Sequence, residues 1–312
     1  MSNFTDFFPQ GSPIRGETLF TAVGTHIFYI PEGVTSVSMV AIGGGGSGGG
    51  TGSNASGGGG GALAYANNIN VENDTYLVVY VGAGGVHVGL ADNNGRSGTA
   101  SYVYPQSLGS GSKIVNAGGG NTNGTGGAVI TGSGGAGGTG FLSPYNSYGA
   151  GSGGASGGYT SKGANGAGQH LTNKVYNTAS TGNTGAGGSG GSGGMYIGSS
   201  FSTCRIGGSS GTCLYGLGTN GTGGSANSTS ANGGNPGSAV TGTTFSVCSG
   251  KVSGTSSLLG YAEGIGESNG FGSGGGHHLN GYNLVKCSRG SNGGVRIIWG
   301  EGRAFPSTNC GV

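Results

Sequence analysis

FYIPEGVTSVSMVAIGGGGSGGG, residues 28–50, is where the reading of the fold is decided. Pro31-Glu32-Gly33 has the composition of a tight turn. Val34 to Ile42 then alternates as a strand, with Val37, Met39 and Ala41 on one face and Val40 and Ile42 on the other. At Gly43 the pattern stops and a glycine field begins that closes only near Gly294. Of 312 residues, 84 are glycine. Glycine loses more backbone entropy on ordering than any other residue. The field is therefore either unordered or held by something stronger than local propensity.

Outward from this stretch, the remaining strand signals sit near the two chain ends. Thr18 to Ile30 reads as one or two strands, and Ala62 to Asn68 as another. Tyr76 to Val81, Thr99 to Tyr104 and Lys113 to Asn116 follow, and Gly294 to Gly300 is the last. That last strand is a lone apolar segment. Burial of Ile297, Ile298 and Trp299 requires it to close onto the N-terminal sheet. The expectation is a mainly β protein: a β-sandwich-like domain built from both chain ends, with the glycine region inserted. Its parts are an aromatic arm at 1–16, N-terminal strands at 17–116, a glycine-rich region at 117–290 and a returning C-terminal strand at 291–312.

The glycines come as doublets and triplets divided by one small residue, as in GGSGGSGG at 187–194. The chain is only 6% charged and keeps 14 Tyr and 10 Phe, unlike a disordered linker. Seven prolines without a G-X-Y period exclude collagen, and interior glycine disfavours a helix. Polyproline-II-like strands make no internal hydrogen bonds, so their amides and carbonyls must find partners on neighbouring strands. Where most residues lack a Cβ, such strands can bond laterally into a polyglycine-II lattice, which is the expected solution. Loose glycine-rich coil and short irregular turns are the alternatives.

A net charge of +2 gives no argument for nucleic acid. No Asp or Glu lies between Asp92 and Glu263, although Lys113, Lys162, Lys174, Arg205 and Lys251 do. Paired-carboxylate catalysis and carboxylate-held calcium are thereby excluded from the central field. GxGxxG matches carry no information in this composition. There is no GxxxxGK[ST], no HExxH and no supported GxSxG triad. His277-His278 with Cys287 makes a poor metal pair, because adjacent strand residues point to opposite faces. No catalytic residue, cofactor or resident metal is expected. The opening MSNFTDFFP has neither the basic nor the apolar region of a signal peptide, and the apolar runs are too short to span a membrane. Synthesis in a cytoplasm is the expectation. Five cysteines are then expected to be reduced thiols, with Cys204 and Cys213, in one loop, pairing only on oxidation.

Three pieces carry a resemblance. FYIPEGVTSVSMVAIGGGGSGGG followed by GGGGGALAYANNINVENDTYLVVYVGAGG (57–85) resembles the glycine-rich virion proteins of tailed bacteriophages. In those, an aromatic-VPAGVTSV strand leads into a glycine run, then GALAY and a TY-VVVGAGG strand. GSNGGVRIIWGEGRAFPSTN (290–309) resembles the close of many such chains, and MSNFTDFFP resembles a start shared by structural and tail-fibre proteins of marine phages, cyanophages especially. Glu32, Asn73-Asp74 and the cysteine-bearing loops depart from the pattern. The resemblance implies a non-enzymatic appendage subunit, a tail fibre or tip adhesin of the virion.

It further implies that loops on a glycine scaffold meet a bacterial surface receptor, a glycan or an outer-membrane protein. Tyr145, Tyr148, Tyr176, Tyr196, Tyr215, Tyr261, His277, His278 and Tyr282 are then the candidate contacts. The competing role for each is a small hydrophobic cap sealing an end of the lattice. Phe4, Phe7 and Phe8 form a candidate arm that docks onto other virion proteins. A homo-oligomer, trimer or polymer, is expected. A purely structural fibre or decoration protein, or a self-assembling extracellular filament or matrix protein, is the alternative.

Overall fold

The computed structural model describes residues 14–49, 56–86, 95–142, 149–170, 178–180, 183–187, 195–197, 204–206, 209, 211–217, 220–224, 270–280, 283–287 and 289–306. The strand signals near the chain ends build two antiparallel sheets. One contains β1 (Gly16–Phe20), β3 (Ser36–Ile42), β4 (Leu63–Asn70) and the C-terminal β16 (Gly294–Trp299), in the order β1-β16-β3-β4. The other contains β2 (Gly24–Tyr29), β5 (Tyr76–Val81), β6 (Ser101–Pro105), β7 (Val115–Ala117) and β8 (Val129–Thr131), in that order. No α-helix occurs among the described residues; a single 3-10 turn spans Gln106–Leu108. The last apolar strand lies between two N-terminal ones, with Val295 opposite Ala41 and Phe20, and Ile297 opposite Met39 and Thr18.

The two sheets pack face to face, and alternation decides what enters the gap. Met39, Ala41, Val295 and Ile297 from the first sheet meet Phe28, Leu77, Val79, Val103 and Val115 from the second. The first sheet is covered on its other side too. There Val40, Ile42, Leu63 and Ile298 pack against Tyr159, Leu214 and Phe305, with Phe271 and Leu217 at the margin. This explains the near-continuous apolar runs of β3 and β16, a pattern of strands buried on both faces. The two faces of β3 separate as its alternation requires.

Three shorter groups of strands were not legible in the sequence. Val129–Thr131 adds an edge to the second sheet. β9 (Gly149–Gly151), β10 (Gly168–His170), β14 (His277–Asn280) and β15 (Asn283–Cys287) form a four-stranded sheet in the order β10-β9-β14-β15. β11 (Thr178–Ser180), β12 (Met195–Ile197) and β13 (Cys204–Ile206) form a three-stranded one. Most of these strands have only three residues, too few to display an alternation.

Between these elements, extended glycine segments bond to one another through their backbones with a period of three. Along residues 57–63, Gly57, Gly60 and Leu63 donate to Phe141, Gly138 and Gly135. Gly58 and Gly61 donate to Gly275 and Gly272, and Gly59 and Ala62 to Asn121 and Gly118. The carbonyls of the same stretch accept from Gly43 and Gly46, from Gly154 and Gly157, and from Gly127. One segment thus gives its amides to three neighbours and takes amides from three others.

Residues 43–49 repeat the arrangement. Gly43, Gly46 and Gly49 donate to Ala62, Gly59 and Ser56; Gly44 and Ser47 donate to Thr99 and Arg96; Gly45 donates to Ser291. Gly85, Gly120 and Gly275 donate back. The glycine stretches near the N-terminus therefore belong to one bonded bundle with those at 118–140, 152–167 and 272–275. Absence of side chains is a steric requirement here. A methyl group on Gly58 would overlap the Gly46 carbonyl oxygen, and one on Gly60 that of Ala155.

Candidate functional site

The bundle meets the first sheet at a seam that holds Arg296, a buried charge among the described residues. Arg296 is on β16, where alternation turns it away from the sandwich core and toward the glycine side. It is 1% exposed. Its Nη2 donates to Glu17 Oε2 on β1 at 2.5 Å, and its Nη1 donates to the Leu214 carbonyl at 3.2 Å. Its guanidinium carbon lies 4.0 Å from the centre of the Tyr215 ring. Arg303 Nη2 donates to the same Glu17 oxygen at 2.8 Å, and Arg303 Nη1 to the Gly16 carbonyl at 2.6 Å. One carboxylate therefore ties two arginines, both chain ends and the bundle together.

Burial would raise the Glu17 carboxyl, but the hydrogen bonds and charges of Arg296 and Arg303 outweigh it and hold it below its ordinary value. Burial also lifts the Tyr215 phenol, against the pull of Arg296 and with a push from Glu17. Beside them Tyr159, 1% exposed, donates its hydroxyl to the Cys213 carbonyl and accepts from the Gly216 amide, both at 3.0 Å. Tyr159 also stacks on Phe305, with ring centres 6.0 Å apart. Ser156 and Thr212 share a hydrogen bond of 2.6 Å, and Thr212 Oγ1 donates to the Gly157 carbonyl at 2.7 Å.

The expected contact residues fall in different places. Tyr215 is 8% exposed beneath Arg296, so its ring serves the seam and is not a free contact surface. Tyr196 lies on β12, in the middle of its three-stranded sheet, and His277 and His278 lie on β14, paired to both β15 and β9. These stretches are strands where loops were expected. Tyr145, Tyr148, Tyr176, Tyr261 and Tyr282, and the arm residues Phe4, Phe7 and Phe8, lie outside the described residues.

Cys213 is disulfide-bonded, where a thiol that pairs only on oxidation was expected. It is 3% exposed within the seam, and the side chain of Cys204 lies outside the described residues. Among the described residues no group of three or more His, Cys, Asp or Glu is placed to hold a metal ion. No helix among them is long and apolar enough to cross a membrane. The Glu17–Arg296–Arg303 cluster was not anticipated; the signal for it was a lone Arg inside the apolar run VRIIW.

No protein-family model matches the chain, and no curated protein matches it.

Proposed function

We propose that the glycine bundle is a polyglycine-II-type lattice inserted in the β-sandwich, and that the protein is a non-enzymatic subunit of a tailed-phage appendage, a tail fibre or tip adhesin. The observation that carries the scaffold is the period-three bonding, in which residues 57–63 donate to three neighbours and accept from three others. Strands with three residues per turn aim successive amides about 120° apart, which gives six neighbours around each central strand. A block crosslinked in every lateral direction is stiff, and its chain reversals collect at the ends. Stiffness with displayed ends suits attachment to a surface, and the resemblance of both chain ends to virion proteins gives the setting. On this reading the Phe4, Phe7 and Phe8 arm docks onto other virion proteins, and a host glycan or outer-membrane protein is the receptor.

Gold-labelled antibody on intact virions, with adsorption of fluorescent purified protein to host cells, tests the proposal. Label at fibre tips together with cell binding supports an adhesin. Absence of label from every virion removes the reading and favours a filament or matrix protein. A second reading, a purely structural fibre or decoration protein, is favoured by the burial of Tyr215, whose ring lies under Arg296 at the seam. Label without cell binding would select it.

A further inference from the structure

The outer face of the five-stranded sheet is also aromatic. Alternation that sends Leu77, Val79 and Val103 inward sends Tyr76, Val78, Tyr80, Tyr102 and Tyr104 outward. Tyr80 and Tyr102 are cross-strand partners with rings 5.0 Å apart and 12° from parallel, and Tyr104 continues the row at 6.2 Å from Tyr102. Tyr29, 70% exposed on the edge strand β2, packs edge-on against Tyr76 at 6.0 Å. Neither hydrophobic cluster includes these tyrosines.

The five strands contain no Asp, Glu, Lys or Arg. Among the described residues a cation at the face is Lys113, whose Nζ lies 4.4 Å from the centre of the Tyr102 ring. Burial, then the neighbouring Tyr80 and Tyr104, hold the Tyr102 phenol above its ordinary value, so it stays a neutral hydrogen-bond donor. Beside it, the buried Oδ1 of Asn116, the cross-strand partner of Tyr102, accepts no hydrogen bond.

We infer that this face binds an acidic glycan, with sugar rings on the tyrosines and a carboxylate at Lys113. Size argues against a second copy of the chain. Strands about 4.8 Å apart, about 20 Å long in β2 and β5 and about 10 Å in the three-residue β7 and β8, offer roughly 370 Å², less than half of the roughly 800 Å² per partner of a stable protein interface. Chemistry argues for the sugar. Aromatic faces are electron-rich and attract the polarised C–H faces of pyranoses, phenol hydroxyls exchange hydrogen bonds with sugar hydroxyls, and a lone ammonium selects an anion. The inference does not rest on the appendage reading.

Calorimetric titration of the full chain with tetragalacturonate and with its methyl ester tests it. The acid is expected to bind several-fold more tightly than the ester. Tyr102→Ser is expected to weaken the acid by about tenfold. Lys113→Gln, at a half-buried position outside the strands, is expected to erase the preference for the acid. The inference is overturned if neither sugar binds, if Tyr102→Ser leaves binding intact, or if sedimentation shows a dimer that Tyr102→Ser dissolves.

Discussion

The amide of Gly60 donates to the carbonyl oxygen of Gly138 at 2.9 Å, joining two segments of the bundle that are remote in the chain. Neither residue brings a side chain, so the contact is backbone against backbone. The energy of such a bundle comes from many modest hydrogen bonds and close dispersion contacts, set against a large entropy cost. Close approach is its condition.

Gly60→Ala is expected to break that condition, because its methyl would meet the Ala155 carbonyl. The expected loss is about 3 kcal/mol, read as a lower urea midpoint. Gly111→Ala is the control: nothing lies near the added methyl, and a gain of about 0.5 kcal/mol is expected from a less flexible unfolded chain.

Glu17→Gln leaves two buried guanidinium groups without their shared carboxylate. Because Glu17 is 30% exposed, the loss is expected at the lower end for broken buried pairs, about 3 kcal/mol in denaturant titration. Replacing Arg296 by Met, of similar length and without charge, is expected to cost less than Glu17→Gln, since it removes the most deeply buried charge and leaves Glu17 paired with Arg303.

Acid should dissolve the same cluster. The folded Glu17 carboxyl lies below the ordinary 4.5. Above 4.5 both folded and unfolded forms are ionised and the full contribution is present. As pH falls through the lowered folded value, the unfolded chain already holds a proton that the folded one resists, and the contribution is lost. Urea midpoints measured from neutral pH to about pH 3 should fall in the wild type and fall less steeply in Glu17→Gln.

Tyr159→Phe strips the partner from the Gly216 amide and the hydroxyl from the Cys213 carbonyl, in a buried site. A loss of about 2 kcal/mol is expected from thermal unfolding. Reduction of the Cys213 disulfide is expected to lower stability by about 2–4 kcal/mol, seen as a drop in melting temperature with reductant.

The sandwich was legible because its strands are long enough to alternate. Val37, Met39 and Ala41 against Val40 and Ile42 already separate into the two clusters, and VRIIW could bury its apolar residues only beside them. The short strands were not legible. Three residues such as Met195-Tyr196-Ile197 show no period, and a glycine pair such as Gly149–Gly151 has no propensity to display. The seam was hidden for another reason: Arg296 finds Glu17 and Tyr215 only after both chain ends and the bundle have closed. Nothing local in the sequence encodes that meeting.

On the polyglycine-II reading proposed above, a strand with screw symmetry superimposes on itself after sliding by one residue, so glycine hydrogen bonds do not distinguish the native alignment from a slipped one. A β-strand is different, since one step exchanges its faces. Here alignment must come from the few residues that are not glycine. The Ser47 hydroxyl closes on the Arg96 amide, Ser152 on the Ala167 amide, and Ser273 on Ser291. The sparse serines are therefore the address marks of the bundle, and loss of their hydroxyls would cost uniqueness of alignment before it cost cohesion.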